Sequence, residues 1–331
     1  MTSAAAKPLA PLTRTAGRVR GTVWGWLRPA AASATLVVVV WQLGLGPFLD
    51  GVRGVDGAAL AAGASIGALT TACCAWRWRI VARGLGLRLS FPAAVAAYYR
   101  SLFLNLTLPA GIAGDVHRAV SHGRNVGDLG LAVRAVAWER TAGQIMQAVV
   151  TVAVLAALPS PVRQSMPLVL TALVAAVLLV ALVGRAGAGG GCSRWARLRR
   201  AIAGDIRNAL LARRAWPAIA LASVLVVGGH ATTFVIAART AGVTASLAQL
   251  FPLALLAMLA MVLPSVAGWG PREGATAWAF AASGLGAEQG VTTAVAYGVI
   301  VLVASLPGAL LLVTAWMPRT VIAQTDGAAD A

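Results

Sequence analysis

Apolar residues run along this chain in long blocks, separated by short basic or Pro/Gly-rich stretches. A membrane-crossing helix needs about 20 consecutive, mostly apolar residues. Blocks of that kind fall near 30–48, 57–76, 129–158, 166–184, 216–238 and 291–316. Two further blocks are apolar enough to enter a bilayer but are broken. The stretch 91–116 contains Arg100 and Asn105 and breaks from Leu108-Pro109 to Gly114-Asp115; the stretch 247–283 breaks from Leu263-Pro264 to Arg272-Glu273. The pattern predicts an all-α, polytopic transmembrane helix bundle with about six full spans plus two re-entrant helical hairpins.

Composition agrees with that picture. Charged residues are 11% of the 331 positions, against about 25% in soluble domains. Lipid is a solvent that selects such a deficit, since a charge at the bilayer centre costs at least about 2.5–3.5 kcal/mol. The net charge is +17, and 26 of the 27 basic residues are Arg. They fill gaps between apolar runs, which fits the positive-inside bias and attraction to anionic lipid rather than nucleic-acid binding. Cys73, Cys74 and Cys192, with His117, His122 and His230, have no metal-ligand or disulfide spacing. A Gly-rich phosphate loop, HExxH and GxSxG are all missing, so neither a cofactor nor a metal is expected.

The organisation follows from where the basic residues sit. Residues 1–29 read as a basic cytoplasmic tail leading into an uncleaved signal anchor. A single membrane domain spans 30–317, with a first half 30–184, a linker 185–215 and a second half 216–317; 318–331 is a C-terminal tail. The linker begins with a flexible Gly/Ala run, 185–191, and continues as a basic amphipathic helix, 194–214, expected on the cytoplasmic lipid surface. Trp76-Arg77-Trp78-Arg79 reads as a cytoplasmic exit. Twenty basic residues then lie on the cytoplasmic side against three outside, Arg53, Arg163 and Arg239. This split requires 91–116 to enter and leave from the cytoplasm and 247–283 from the outer side. The expectation is a multi-pass protein of the inner (cytoplasmic) membrane with both termini cytoplasmic.

The two breaks match each other. Pro109, Gly114 and Arg118 in the first correspond to Pro264, Gly268 and Arg272 in the second, with one gap residue after Pro109. Asp115 and Glu273 stand nearby. Two such halves of opposite orientation form a weak inverted repeat, the design in which broken helices meet at the bilayer midplane. Freed backbone groups must be buried in protein or line a wet cavity. Amides at a half-helix start attract anions, and Arg adds a forked donor suited to phosphate. Arg140, Gln144 and Gln147 share one face of the 129–158 helix, with Glu139 and Gly143 on the adjoining stripe. Glu139 should pair with an Arg, and Arg100, Arg118 and Arg272 are the candidates. That charge could equally fix helix register without touching any substrate.

Arg100, Asn105, Leu108-Pro109, Gly111, Gly114-Asp115 and Arg118, then Glu139-Arg140 with Gly143, then Pro264, Gly268, Gly270 and Arg272-Glu273 resemble, in order, the motifs of the lysylphosphatidylglycerol synthase membrane-region family, also called flippase-like domain proteins. The resemblance covers about 30–317. Small residues replace the family's usual ones at Ala110, Ala113 and Ala267. In bifunctional relatives a soluble aminoacyltransferase domain follows; these 331 residues contain none. The resemblance therefore implies lipid translocation or binding and speaks against aminoacyl transfer. The partners it implies are a phospholipid or polyprenyl-linked lipid, and a separate lipid-modifying enzyme. Under this reading Arg100, Arg118, Arg140 and Arg272 hold phosphate; Asp115, Glu139 and Glu273 pair with them or with a cationic headgroup; Asn105 belongs to the same substrate-binding set; Pro109, Gly111, Gly114, Pro264, Gly268 and Gly270 shape the turns. The alternatives are a membrane-embedded transferase acting on a lipid phosphate, with Asp115 or Glu139 as base, and a non-catalytic scaffold for a separate lipid synthase.

Overall fold

The computed structural model describes residues 34, 37–108, 111–165, 167–168, 171, 194–263 and 269–316. Its helices are α1 (Gly46–Arg53), α2 (Gly57–Gly84), α3 (Phe91–Thr107), α4 (Ala113–Val126), α5 (Leu129–Ala157), α6 (Arg194–Asp205), α7 (Trp216–Thr240), α8 (Leu247–Ala260), α9 (Pro271–Ala282) and α10 (Ala287–Trp316). The chain is a polytopic bundle of α-helices. Most of the block at 166–184, the run 185–191 and both tails lie outside the described residues.

Among the described residues four helices are long and apolar enough to cross a membrane: α2, α5, α7 and α10. Capping fixes where they begin. Asp56 accepts a hydrogen bond from the Ala59 amide at 2.7 Å, and Asp128 accepts one from the Leu131 amide at 2.9 Å. Each carboxylate satisfies one orphan amide of the first turn. The broken blocks fold as pairs of short helices. The 17 residues of α3 and 14 of α4 rise about 26 and 21 Å, short of a hydrocarbon core of about 30 Å. Asn105 meets Gly114, Ser101 meets Asp115, and Ala94 clusters with Ala119, so α4 folds back along α3 as an antiparallel hairpin. The second hairpin is α8 and α9, of 14 and 12 residues, packed through Leu250, Leu253, Ala254, Ala279 and Phe280.

The two halves repeat: α2, α3, α4 and α5 correspond to α7, α8, α9 and α10. Exchanging the halves leaves the packing scheme unchanged. α3 packs on α10 as α8 packs on α5; α2 packs on α5 as α7 packs on α10; α2 packs on α10 as α7 packs on α5. The pair α2–α7 maps onto itself and is antiparallel, because Arg77 meets Ser223 and Thr70 meets Gly229. Equivalent helices running in opposite directions make this an inverted repeat. Small residues allow the close crossings: Gly63 and Gly67 seat Ile300 and Ala304 of α10, and Gly229 seats Thr70 and Ile66.

Three sequence expectations change. The span expected to end at Trp76 continues to Gly84, burying Arg77 and Trp78. Val81 and Ala82 are buried too, so the helix keeps a packed face beyond Trp76–Arg79. The first apolar block is broken at Gly44, with positive φ, before α1 begins at Gly46. The linker helix is not one amphipathic rod. It passes into a π turn, Ile206–Leu210, which buries Ala209 against Gly84. Asp205 fastens it to α5 by accepting from Arg134 and from the Trp138 indole at 2.9 Å.

Candidate functional site

Glu139, in the middle of α5, is completely buried. It cannot stay charged there without partners. Arg77 of α2 supplies two donors, Nε at 2.9 Å and Nη2 at 2.6 Å from Oε1; Tyr98 of α3 gives its hydroxyl at 2.8 Å; Arg118 of α4 reaches Oε2 at 3.0 Å. Of the three expected partners only Arg118 is found there, and Arg77 takes the place offered to Arg100 or Arg272. Arg77 also donates to Ser223 of α7 at 3.0 Å, which joins the two halves. Gly143, one turn beyond Glu139, leaves the guanidinium its space: a Cβ there would lie 2.7 Å from Arg77 Nη2.

Arg118 has two further supports. Its guanidinium lies between the rings of Trp78 and Tyr98, 4.7 and 4.2 Å from their centroids. Two of its nitrogens, Nε and Nη1, have no hydrogen-bond partner among the described residues, and the two rings give the cation its other company. Its Nη2 reaches Asp115 at 2.9 Å. Asp115 also accepts from Ser101 at 3.3 Å, from Asn105 at 3.2 Å and from Arg140.

Asn105 closes the first break: its carbonyl oxygen accepts from the Gly114 amide at 2.8 Å while its Nδ2 donates to Asp115. Gly111 takes a φ of 62° at the turn, a region that favours glycine. The second break closes through Gly270, with φ 114°, whose amide donates to Glu273 at 2.7 Å. Glu273 in turn pairs with Arg272, Nε at 2.9 Å. Arg272 lies near the rings of Trp269 and Tyr297, 5.4 Å from each centroid, and a Cβ on Gly298 would stand 2.6 Å from its Nη2. Pro109, Pro264 and Gly268 lie outside the described residues.

The spatial repeat differs from the linear one. Asp115 and Glu273 are each the third residue of their helix, whereas Arg118 and Arg272 are the sixth and the second. The acids are the structural equivalents. Each accepts hydrogen bonds at the start of a half-helix, where an anion is favoured.

One cavity of about 260 Å³ lies between the two hairpins. Arg77, Arg140 and Arg272 line it, and both breaks reach it, through Gly111 on one side and Met261, Val262 and Pro271 on the other. The lining of α5 is Arg140, Gly143, Gln144 and Gln147, the face expected from their spacing. Ser223 and His230 come from α7, and Tyr297 from α10, where its hydroxyl lies 2.9 Å from His230 Nδ1. Gln147 Nε2 is buried without a partner among the described residues. The cavity residues fall at mid-length on α5, α7 and α10. Arg118 is sealed behind it, and Arg100, bonded to the Ala96 carbonyl at 3.3 Å, stands apart from it.

Around this cavity four guanidiniums, Arg77, Arg118, Arg140 and Arg272, face three carboxylates, Asp115, Glu139 and Glu273. Among the described residues this cluster carries one more positive charge than negative, and no carboxylate lines the cavity. No group of three or more His, Cys, Asp and Glu side chains comes together for a metal among the described residues. Arg77, Tyr98, Ser223, His230 and Tyr297 had no motif to announce them; the signal for Arg77 was the apolar run continuing beyond it.

An inverted repeat of long helices around two short hairpins, with ionised groups held inside, defines a polytopic membrane protein. The model of the lysylphosphatidylglycerol synthase TM region matches residues 25–308, and the chain belongs to that family. No curated protein matches it.

Proposed function

We propose that this protein binds an anionic or lipid-linked headgroup in the cavity between the hairpins and moves it between leaflets. The single observation that carries this reading is the convergence of Arg77, Arg140 and Arg272, with both helix breaks, on one cavity at mid-length of the bundle. A headgroup in transit needs polar company midway through the hydrocarbon, and guanidinium forks suit phosphate. The inverted repeat supplies two halves that can rock about such a fixed site. The proposal keeps 30–317 as one membrane domain in the inner membrane. With Arg77 and Arg118 counted inside the bundle, the basic residues still divide eighteen to three, which favours cytoplasmic termini.

The transferase alternative has less support. Its base would be Asp115 or Glu139, and each carboxylate already accepts from two guanidiniums. A leaflet-resolved lipid assay with the purified chain in vesicles separates the readings. Leaflet exchange without a new lipid species supports translocation. A new lipid product supports the transferase, and neither outcome supports the scaffold.

A further inference from the structure

The cavity wall holds one group whose charge is not fixed. Guanidiniums stay ionised throughout, and tyrosine and cysteine ordinarily titrate above neutrality. Histidine changes charge between roughly pH 5 and 8, and His230 of α7 stands in the wall. It is half-buried, and the Tyr297 hydroxyl, 2.9 Å from Nδ1, is the ring's one hydrogen-bond partner among the described residues. The titratable and charged groups that share its surroundings are Cys74 and Arg77 of α2, Tyr98 of α3, Arg140 of α5, Arg272 of α9 and Tyr297 of α10; α8 brings none. A smaller cavity of about 50 Å³ also borders His230. Thr70, Thr71 and Thr233 line it, and it has room for about one or two waters.

The inverted repeat sets this pair against the buried ion pair. Glu139 and Tyr297 are each the eleventh residue of equivalent helices, α5 and α10. Glu139 meets Arg77 of α2, and Tyr297 meets His230 of α7, the equivalent of α2. One half makes the joint from permanent charges, the other from a neutral pair that can gain a charge. The second joint accommodates both states. A tyrosine oxygen accepts as well as donates, so in the imidazolium Nδ1–H donates to Tyr297 and Nε2–H becomes a further donor.

We infer that His230 takes a proton from water when an anionic headgroup fills the cavity, so that headgroup and proton enter the site together. This rests on the binding reading above. In the empty cavity an imidazolium would be a further cation beside Arg77, Arg140 and Arg272, in a cluster already carrying one excess positive charge. A phosphodiester monoanion cancels that excess, and the proton restores it. Empty and loaded sites then carry the same net charge, so the headgroup crosses without moving charge through the hydrocarbon. Linkage makes the effect reciprocal: the proton tightens the headgroup by the factor with which the headgroup tightens the proton.

The test titrates the full chain, in a neutral detergent, with short-chain phosphatidylglycerol, a phosphodiester that stays ionised across the roughly pH 5–8 window. Affinity should rise about tenfold as pH falls through it, and a weakly buffered sample should take up as much as about one proton per lipid bound. His230→Asn, whose amide can still meet the Tyr297 hydroxyl, should bind with flat pH dependence and no proton uptake. His117 and His122 are the other two histidines of the chain and line neither cavity. The double variant His117→Gln/His122→Gln should keep the native pH dependence, and it decides the matter if His230→Asn does not fold. Binding that ignores pH in the native chain, pH dependence that survives in His230→Asn, or its loss in the double variant overturns this inference and leaves the binding reading standing. Absence of binding at every pH overturns both.

Discussion

Arg77 and Glu139 are joined through a buried ion pair, Nη2 to Oε1 at 2.6 Å, that ties α2 to the middle of α5. Arg118 approaches the other oxygen at 3.0 Å, so Glu139 is the node on which two helices and one hairpin converge. Removing one member of a buried pair leaves the rest uncompensated, which costs about 3–5 kcal/mol. Glu139→Ala strands the Arg77 guanidinium and leaves Arg118 with Asp115 as its one carboxylate among the described residues. The expected outcome is a large fall in thermal midpoint in detergent, with little monodisperse protein recovered. Glu139→Gln, which keeps an acceptor, should fall between that variant and the native chain. Size-exclusion profiles and thermal melts of the three proteins check the ordering.

Gly298 gives Arg272 its seat. A methyl there would press within 2.6 Å of Nη2, the far end of a long side chain. Gly298→Ala should therefore displace the guanidinium from the cavity wall more than it disturbs the fold. Anionic-lipid binding should fall about tenfold, equivalent to about 1.4 kcal/mol, while the thermal midpoint changes by a few degrees at most. A binding titration run beside a melt distinguishes this from general destabilisation, in which both would move together.

Neighbouring glycines in α7 separate packing from propensity. A Cβ on Gly228 meets nothing within 4 Å, whereas on Gly229 it runs into Thr70 and Ile66 of α2. Gly228→Ala should be neutral or stabilising by up to about 1 kcal/mol, through helix propensity. Gly229→Ala should be destabilising by about 1–3 kcal/mol, through overpacking of the antiparallel α2–α7 seam. Two melts decide it, and the sign of the difference tests the inverted arrangement of the halves.

The apolar blocks made the helical bundle and both hairpins legible, because lipid leaves few other ways to satisfy a backbone. The Arg140, Gln144 and Gln147 face was also legible, since helical spacing alone aligns it, and these residues line the cavity. Arg77 was not. A Trp-Arg pair near the end of an apolar run is the ordinary signature of an interface, and the partner that keeps Arg77 inside lies 62 residues away. Asp115 and Glu273 could not be matched by counting from the prolines either. Their equivalence comes from where each half-helix starts, and the loops before those starts differ in length. The α2–α7 seam rests on Gly, Thr and Ser contacts, which carry no pattern that distinguishes them from any other small residues in a span.

The measurement that bears most directly on the cavity as a headgroup site is mass spectrometry of lipid retained by the purified chain, compared with Arg272→Gln and Arg140→Gln. The native protein should carry anionic lipid enriched over the membrane it was extracted from, and both variants should lose that enrichment while running as the same monodisperse species. Retained lipid that mirrors the bulk membrane in all three proteins would contradict a headgroup site at this cavity.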